Sequence, residues 1–259
     1  LAPMWKEFFT YVSPSRLAGI AGVANTGDDA SWCGHHFSQA NWYAYGRLAW
    51  APSLSSDSIA REWLAQTFTR DTAFVSPMAA VMEASREACV DYMMPLGLHH
   101  IFKADHHYGP EPQGRYPGYP AEWCPVYYHR ADSLGLGFDR TLTGSGAVAQ
   151  YRHPYDSIYN SLEACPEEYL LWFHHVGWNH RLGNGLTLWQ NLCARYSRGV
   201  SLADSFVATW RRMRPYVDAR RYAEVERALT RQALDARRWR DFCLGYFSAF
   251  SGQPVPNRS

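Results

Sequence analysis

Hydrophobic positions along this chain recur mostly at helical spacing. Trp5, Phe8 and Phe9 share one side of residues 1–12, a short amphipathic helix. Leu17–Asp29 (LAGIAGVANTGDD) has the small and β-branched residues of a buried strand and ends in the polar turn Asn25–Asp29. A buried strand with an acidic C-terminal end is how α/β barrels present chemistry. Over Trp32–Trp50 a stripe of Phe37, Ala40, Ala44 and Leu48 predicts a helix, and Asp57–Thr67 repeats the pattern with Ile59, Trp63 and Leu64 inward. Ser76-Pro77 reads as an N-cap followed by Pro at the first helical position, opening a helix to about Met94 that Pro95 and Gly97 stop. Pro166 opens another, with Tyr169, Leu170, Trp172 and Phe173 inward and His174 and His175 at its C-terminal end, where imidazole meets the helix dipole. Thr187-x-x-Gln190 and Ser201-x-x-Asp204 read as capping boxes that start helices Thr187–Arg198 and Ser201–Val217. The last helix, about Asp218–Phe250, keeps Tyr222, Val225, Leu229, Ala233, Ala236, Cys243 and Phe247 on one face, and Ser251-Gly252 ends it. The fold class read from this pattern is mainly α, with one strand.

One stretch breaks the periodicity. Gly97–Asp132 is rich in Pro, Gly and Tyr and holds five of the eleven histidines: His99, His100, His106, His107 and His129. Long irregular segments inside a compact domain are usually functional or disordered, and this one is too aromatic for disorder. A shorter irregular region, Gly135–Tyr151, reads as a Gly/Ser turn followed by a short helix. Its Gly144-Ser145-Gly146 lacks both the P-loop and the dinucleotide-binding pattern.

Composition narrows the function. With 259 residues and a formal net charge of +1, bulk electrostatics select neither nucleic acid nor membrane. Eleven Trp, seventeen Tyr and twelve Phe point either to an aromatic core or to carbohydrate recognition, where ring faces stack on sugar C–H faces. The six cysteines show neither C-x-x-C nor zinc-finger spacing, so free, mostly buried thiols are expected and disulfides are not required. There is no signal-peptide pattern and no long apolar run, and the start at Leu1 suggests a fragment.

Four His-His pairs invite a metal, but neighbouring side chains diverge on helix and strand alike, and no H-E-x-x-H occurs. Neither a metal nor a cofactor is expected. No G-x-S-x-G elbow marks a serine hydrolase. A glycosidase needs two carboxylates; Asp28, Asp29, Asp105, Asp132 and Asp139 lie off obvious helix faces, and ion pairs with Arg130 and Arg140 are the structural reading of Asp132 and Asp139. His35 and His36 read equally as a helix cap or as ligand contacts.

Several long motifs carry a resemblance: ANTGDDASWCGHHFSQANWYAYGRLAW, PLGLHHIFKADHHYGP, CPVYYHRADSLGLGFDRTLTGSGAVAQY, CPEEYLLWFHHVGW and WRDFCLGYFSAFSGQPVP. Together they resemble the C-terminal region of glycoside hydrolase family 67, the xylan α-1,2-glucuronidases, over nearly the whole chain. The resemblance implies that residues 1–25 are the tail of the catalytic (β/α)8 barrel, its last helix and strand, and that 26–259 form an irregular helical C-terminal domain with long aromatic and His-rich loops. The span Phe9–Gly19 is shorter than the matching barrel segment of the family. The implied activity is inverting hydrolysis of the bond between (4-O-methyl)glucuronic acid and xylose. The catalytic carboxylates would lie upstream of Leu1, so no catalytic residue carries over and the fragment alone would be inactive.

The implied partners are xylo-oligosaccharides bearing glucuronic acid, the catalytic barrel, and a second copy in a homodimer. The substrate-binding candidates are His106, His107, Tyr108, Asn25, Asp28, Trp32, His36 and Trp123, with Trp32 or Trp123 stacking on a sugar ring. Arg130 is either an anion contact or, as favoured here, the partner of Asp132. Localisation would be cytoplasmic or periplasmic in a bacterium and secreted in a fungus. Two other classes compete: a purely structural helical domain without ligand contacts, and a stand-alone carbohydrate-binding module. Isolated, the chain is expected to expose apolar surface and to self-associate.

Overall fold

The computed structural model describes residues 21–23, 33–104 and 108–256. It is mainly helical, with one two-stranded sheet among the described residues. The helix expected over residues 1–12 and most of the strand expected over Leu17–Asp29 lie outside them. The three described residues of that strand, Ala21–Val23, are exposed and not in a strand. The barrel tail is therefore not part of the fold described below.

The chain divides into two compact units. One takes the described residues up to Arg86 together with Ser205–Thr230; the other takes Glu87–Asp204 and Arg231 onward.

In the first unit, a 3-10 turn at His36–Ser38 leads into α1 (Gln39–Trp50), followed by α2 (Ser56–Thr67) and the start of α3 (Thr72–Met93). Ser55 caps α2 by accepting from the Ser58 backbone N–H at 3.2 Å. α3 begins five residues earlier than Ser76-Pro77 predicts. Asp71 is the true cap: its carboxylate accepts from Ala73 N at 2.8 Å and its carbonyl from Val75 N at 2.9 Å. Pro77 then sits inside the helix, where it forgoes the bond to the carbonyl of residue 73. The compensation is burial, since the added turn carries Phe74 and Val75 into the core beside Met78 and Ala79. That core is aromatic. Fully buried Trp210 is ringed by Phe37, Phe68, Phe74 and Tyr222, with centroids 5.8–6.5 Å away, and its indole N–H donates to the Tyr222 carbonyl at 3.1 Å.

In the second unit, α4 (Pro125–His129), α5 (Tyr155–Asn160) and α6 (Leu170–Phe173) are short, and β1 (Gly135–Leu136) pairs antiparallel with β2 (Val176–Gly177) in the register Gly135↔Gly177, Leu136↔Val176. Periodicity missed this strand pair and α5. Both strands are two residues long, too short to show alternation. The helix expected from Pro166 is instead a 3-10 turn, Glu167–Tyr169, plus one turn of α6; Tyr169 is exposed, and Leu171 is buried in its place.

α7 (Leu188–Arg212) and α8 (Ala219–Ser251) are the long helices. The Thr187 box is reciprocal: Gln190 N donates to Thr187 Oγ1 at 3.2 Å, and Thr187 N donates to Gln190 Oε1 at 2.9 Å. Ser201 starts no helix. α7 runs through it, and its hydroxyl donates back to the Ser197 carbonyl at 3.0 Å. The continuity comes from packing. At Gly199 an added Cβ would lie 2.5 Å from the Tyr92 backbone nitrogen and 3.0 Å from the Ala88 carbonyl, so α3 and α7 cross almost backbone to backbone. Asp218 caps α8 through the Arg221 N–H at 3.0 Å, and Gly252, at φ 66, closes it in the left-handed conformation. On α8 of this unit Ala233, Ala236, Trp239, Cys243, Leu244 and Phe247 are buried, beside Tyr196 of α7. All six cysteines are free; Cys124, Cys165, Cys193 and Cys243 are buried, and Cys33 and Cys89 are half-buried.

Candidate functional site

The stretch Gly97–Asp132 is less irregular than its sequence predicts. Ile101 and Leu98 are buried and anchor its start. Phe102 bridges Pro110 in antiparallel fashion, Lys103 N donates to the Gly109 carbonyl at 3.1 Å, and Glu111 N donates to the Ile101 carbonyl at 3.0 Å. These bonds make a narrow two-strand tongue. Asp105, His106 and His107, like Asn25, Asp28, Asp29 and Trp32, lie outside the described residues.

Tyr108 is exposed, at 47%. Its hydroxyl donates to the Asp235 carboxylate and accepts from Arg231 Nε at 3.2 Å, and the Arg231 guanidinium lies 5.6 Å from its ring. The phenol is thus tied to α8. His36 belongs to the first unit, where its Nε2 meets Glu224 at 2.7 Å, while His35 Nδ1 accepts from Phe37 N at 3.2 Å and so caps the 3-10 turn. Burial, and then the neighbouring His36, lower the His35 pKa.

Beyond the tongue the chain makes a 3-10 turn at Ala121–Trp123 and enters α4. Trp123 is 57% exposed, more than Tyr108 or Tyr119. Its ring tilts against Tyr119 at 5.8 Å, and Tyr119 meets Tyr116 edge-on at 5.8 Å. Tyr116 is fixed from behind: its hydroxyl donates to Glu111 at 2.5 Å and accepts from Ala104 N at 3.1 Å. Burial, reinforced by the Glu111 carboxylate, pushes its pKa up to about 12, so the phenol stays protonated. A cleft of about 380 Å³ runs along this row, lined also by His100, Phe102, Glu122 and Tyr128. His100 holds φ 56, a left-handed backbone uncommon outside glycine, and its ring packs on Tyr128 at 4.6 Å.

His129 is the buried hinge of the stretch. Its Nδ1 accepts from Ala131 N at 3.0 Å, which places the ring proton on Nε2, and Nε2 donates to the Pro112 carbonyl at 2.7 Å. Burial pushes its pKa down to about 4. It is a neutral structural bridge.

Both ion pairs predicted for this region are corrected. Asp132 does not pair with Arg130. Its carboxylate accepts from Leu134 N at 2.7 Å and Gly135 N at 2.9 Å and lies 3.4 Å from His175 Nε2. Arg130 ends α4 in the left-handed conformation, φ 45, with its guanidinium over Phe138 at 4.2 Å. Asp139 does not pair with Arg140 either. It caps a turn, accepting from Thr141 N and Oγ1 at 2.9 and 2.6 Å; burial raises its pKa, and these bonds outweigh burial to leave it lowered. Buried Arg140 is clamped between Phe138 and Trp172 at 4.2 and 3.8 Å and donates to the Trp172 carbonyl at 2.5 Å. Short loops gave each aspartate backbone donors nearer than any guanidinium, and the aromatic rings took the arginines.

The described candidates therefore separate. Trp123 fronts an open aromatic cleft, Tyr108 is locked to α8, and His36 sits in the other unit. No group of three or more His, Cys, Asp or Glu residues suited to a metal ion occurs among the described residues. Sequence reasoning missed Tyr119, Glu122 and Tyr128 as neighbours of Trp123. The available signal was the run Tyr116-Pro-Gly-Tyr119-Pro, whose turns bring alternate rings to one side.

Residues 33–259 match the family described as Glycosyl hydrolase family 67 C-terminus, and the chain belongs to that family. Among curated relatives, Alpha-glucuronidase A of Emericella nidulans is 34% identical over 98% of this chain and 32% of its own length. Probable alpha-glucuronidase A of Aspergillus oryzae is 33% identical over 97% and 32%, and Alpha-glucuronidase A of Aspergillus tubingensis is 34% identical over 92% and 28%. The chain spans about a third of the length of these relatives.

Proposed function

We propose that this chain is the C-terminal part of an α-glucuronidase that removes (4-O-methyl)glucuronic acid from xylose in xylan-derived oligosaccharides with inversion. In that chemistry one carboxylic acid protonates the leaving oxygen while a carboxylate on the other face activates water. Both carboxylates would come from a barrel upstream of Leu1. The part played by this chain is to border the substrate pocket, to support the barrel and to contribute to a homodimer.

The observation that carries this reading is the likeness to relatives named alpha-glucuronidases across nearly the whole chain. The solvent-facing Trp123 row, suited to sugar C–H faces, agrees with it. His106, His107, Asn25, Asp28, Trp32 and His36 remain proposed substrate contacts. Tyr108, with its hydroxyl committed to Asp235 and Arg231, favours the purely structural reading for the base of the tongue.

The test is His107→Ala in the full-length enzyme. Loss of one hydrogen bond to a sugar hydroxyl predicts a fall in kcat/KM of roughly tenfold or more, with an unchanged melting temperature. Unaltered kinetics would leave the tongue a scaffold only.

A further inference from the structure

A second cleft adjoins the aromatic row. It measures about 490 Å³ and is lined by Arg115, Tyr116, Pro117, Ala121, Cys124, Val126, Tyr127 and Arg130. Its lining contains two guanidinium groups and no carboxylate. Arg115 is exposed and has no hydrogen bond or ion pair among the described residues. Arg130 spends only Nε, on the Tyr127 carbonyl at 3.1 Å, and its face packs on Phe138 at 4.2 Å and Tyr127 at 4.9 Å. Stacking fixes the plane of the guanidinium, and no carboxylate among the described residues takes its terminal N–H groups.

Arg47, Arg61, Arg195, Arg198, Arg211 and Arg237 each have an acidic partner, whereas neither arginine of this cleft has one among the described residues. Arg130 is also held at φ 45, a strained backbone that the fold has to over-determine. His100, which lines the neighbouring aromatic cleft, carries the same kind of strain at φ 56. The two clefts share one wall, Tyr116, whose hydroxyl is anchored on the far side by Glu111.

An aromatic shelf and a paired-guanidinium shelf, separated by one tyrosine, form a composite surface. Rings with faces suit neutral pyranose C–H surfaces; a fork of guanidinium N–H groups suits a planar carboxylate. We infer that these two clefts together form a binding site for an acidic xylo-oligosaccharide, with xylose on Trp123 and Tyr119 and the uronate carboxylate on Arg115 and Arg130. The choice of a uronate rather than another anion rests on the function proposed above. Glu122 lies within the sugar half, where its carboxylate offers an acceptor to hydroxyl groups. The shape of the ligand follows: a neutral unit and an acid one sugar apart, not a lone anion.

The test is calorimetry on the 259-residue chain with glucuronate-substituted xylotriose, unsubstituted xylotriose, free glucuronate and inorganic phosphate. The acidic oligosaccharide should bind at least about tenfold more tightly than xylotriose, the worth of charge-assisted hydrogen bonds at a partly wet site. That preference should shrink as salt is raised. Arg115→Gln and Arg130→Lys should each cut the preference while leaving xylotriose binding in place, and Trp123→Ala should weaken both oligosaccharides. Arg115 is exposed and makes no hydrogen bond or ion pair among the described residues, so its variant reads binding even where the strained Arg130 position does not tolerate change. Equal affinity for acidic and neutral oligosaccharides would overturn the guanidinium half and leave a sugar-binding row. Equal binding of phosphate, glucuronate and the oligosaccharide would overturn the sugar half. No binding at all would overturn the whole inference, while the His107→Ala kinetics would still judge the α-glucuronidase reading separately.

Discussion

His129 shows how one side chain ties a loop to pH. Its folded pKa of about 4 lies below the ordinary 6.5 because the ring is buried; the bond to the Pro112 carbonyl opposes that shift and the Arg115 charge adds to it. Above pH 6.5 neither folded nor unfolded chain protonates it, and its contribution is intact. As pH falls from 6.5 to 4 the unfolded chain takes up a proton that the native chain refuses, so stability drops. The loss approaches about 3 kcal/mol by pH 4. His129→Gln keeps a donor for Pro112 and lacks the titration, so its denaturant midpoint should fall less steeply over that range. Parallel pH profiles for the two proteins would remove His129 from the account. His35, His99 and His174 also have lowered pKa values, chiefly through burial, which is why the comparison must be a difference between variants.

The same scale explains why the Asp132 and Asp139 partners were misjudged. Sequence proximity put Arg130 and Arg140 beside them, but a guanidinium beside Phe138 and Trp172 gains a desolvated ring face that sequence alone does not locate.

Among the elements, helices with strong apolar stripes were legible. Asp57–Thr67 was read within one residue of its observed start, and the Thr187 cap fell where its residue type placed it. What failed was decided by long-range packing. Asp71, not Ser76, opens α3 because an extra turn buries Phe74, and α7 passes Ser201 because Gly199 must stay helical to let α3 approach. Trp123 was legible as a candidate but its neighbours were not, since nothing local announces that residues 100 and 128 face it.

Gly199 gives this level its prediction. Alanine is the better helix former by about 1 kcal/mol, yet Gly199→Ala should destabilise the chain by roughly 3 kcal/mol, because its Cβ would meet the Tyr92 backbone at 2.5 Å, where no flexible side chain can yield. Urea titration measures it. A stabilised variant would mean that the helices part at no cost.

For the molecule as a whole, the fold class followed from periodicity, whereas the division into two compact units did not. α3, α7 and α8 each contribute residues to both, so no linker or composition shift marks a boundary. The aromatic excess divides along the same line. In the first unit it is core, with Trp210 at its centre; in the second, part of it faces solvent as the Trp123 row.

The free thiols then acquire a use as clocks. Alkylation requires both access and thiolate, and burial pushes the pKa of Cys165 and Cys193 up to about 11 and of Cys243 up to about 12. Pulsed iodoacetamide followed by peptide mass spectrometry should mark the half-buried Cys33 and Cys89 first and Cys243 last, at a rate set by how often α8 leaves its seat. Equal rates for Cys89 and Cys243 would contradict that order. If the order holds, the chain times its own opening, region by region, without any label having to be introduced.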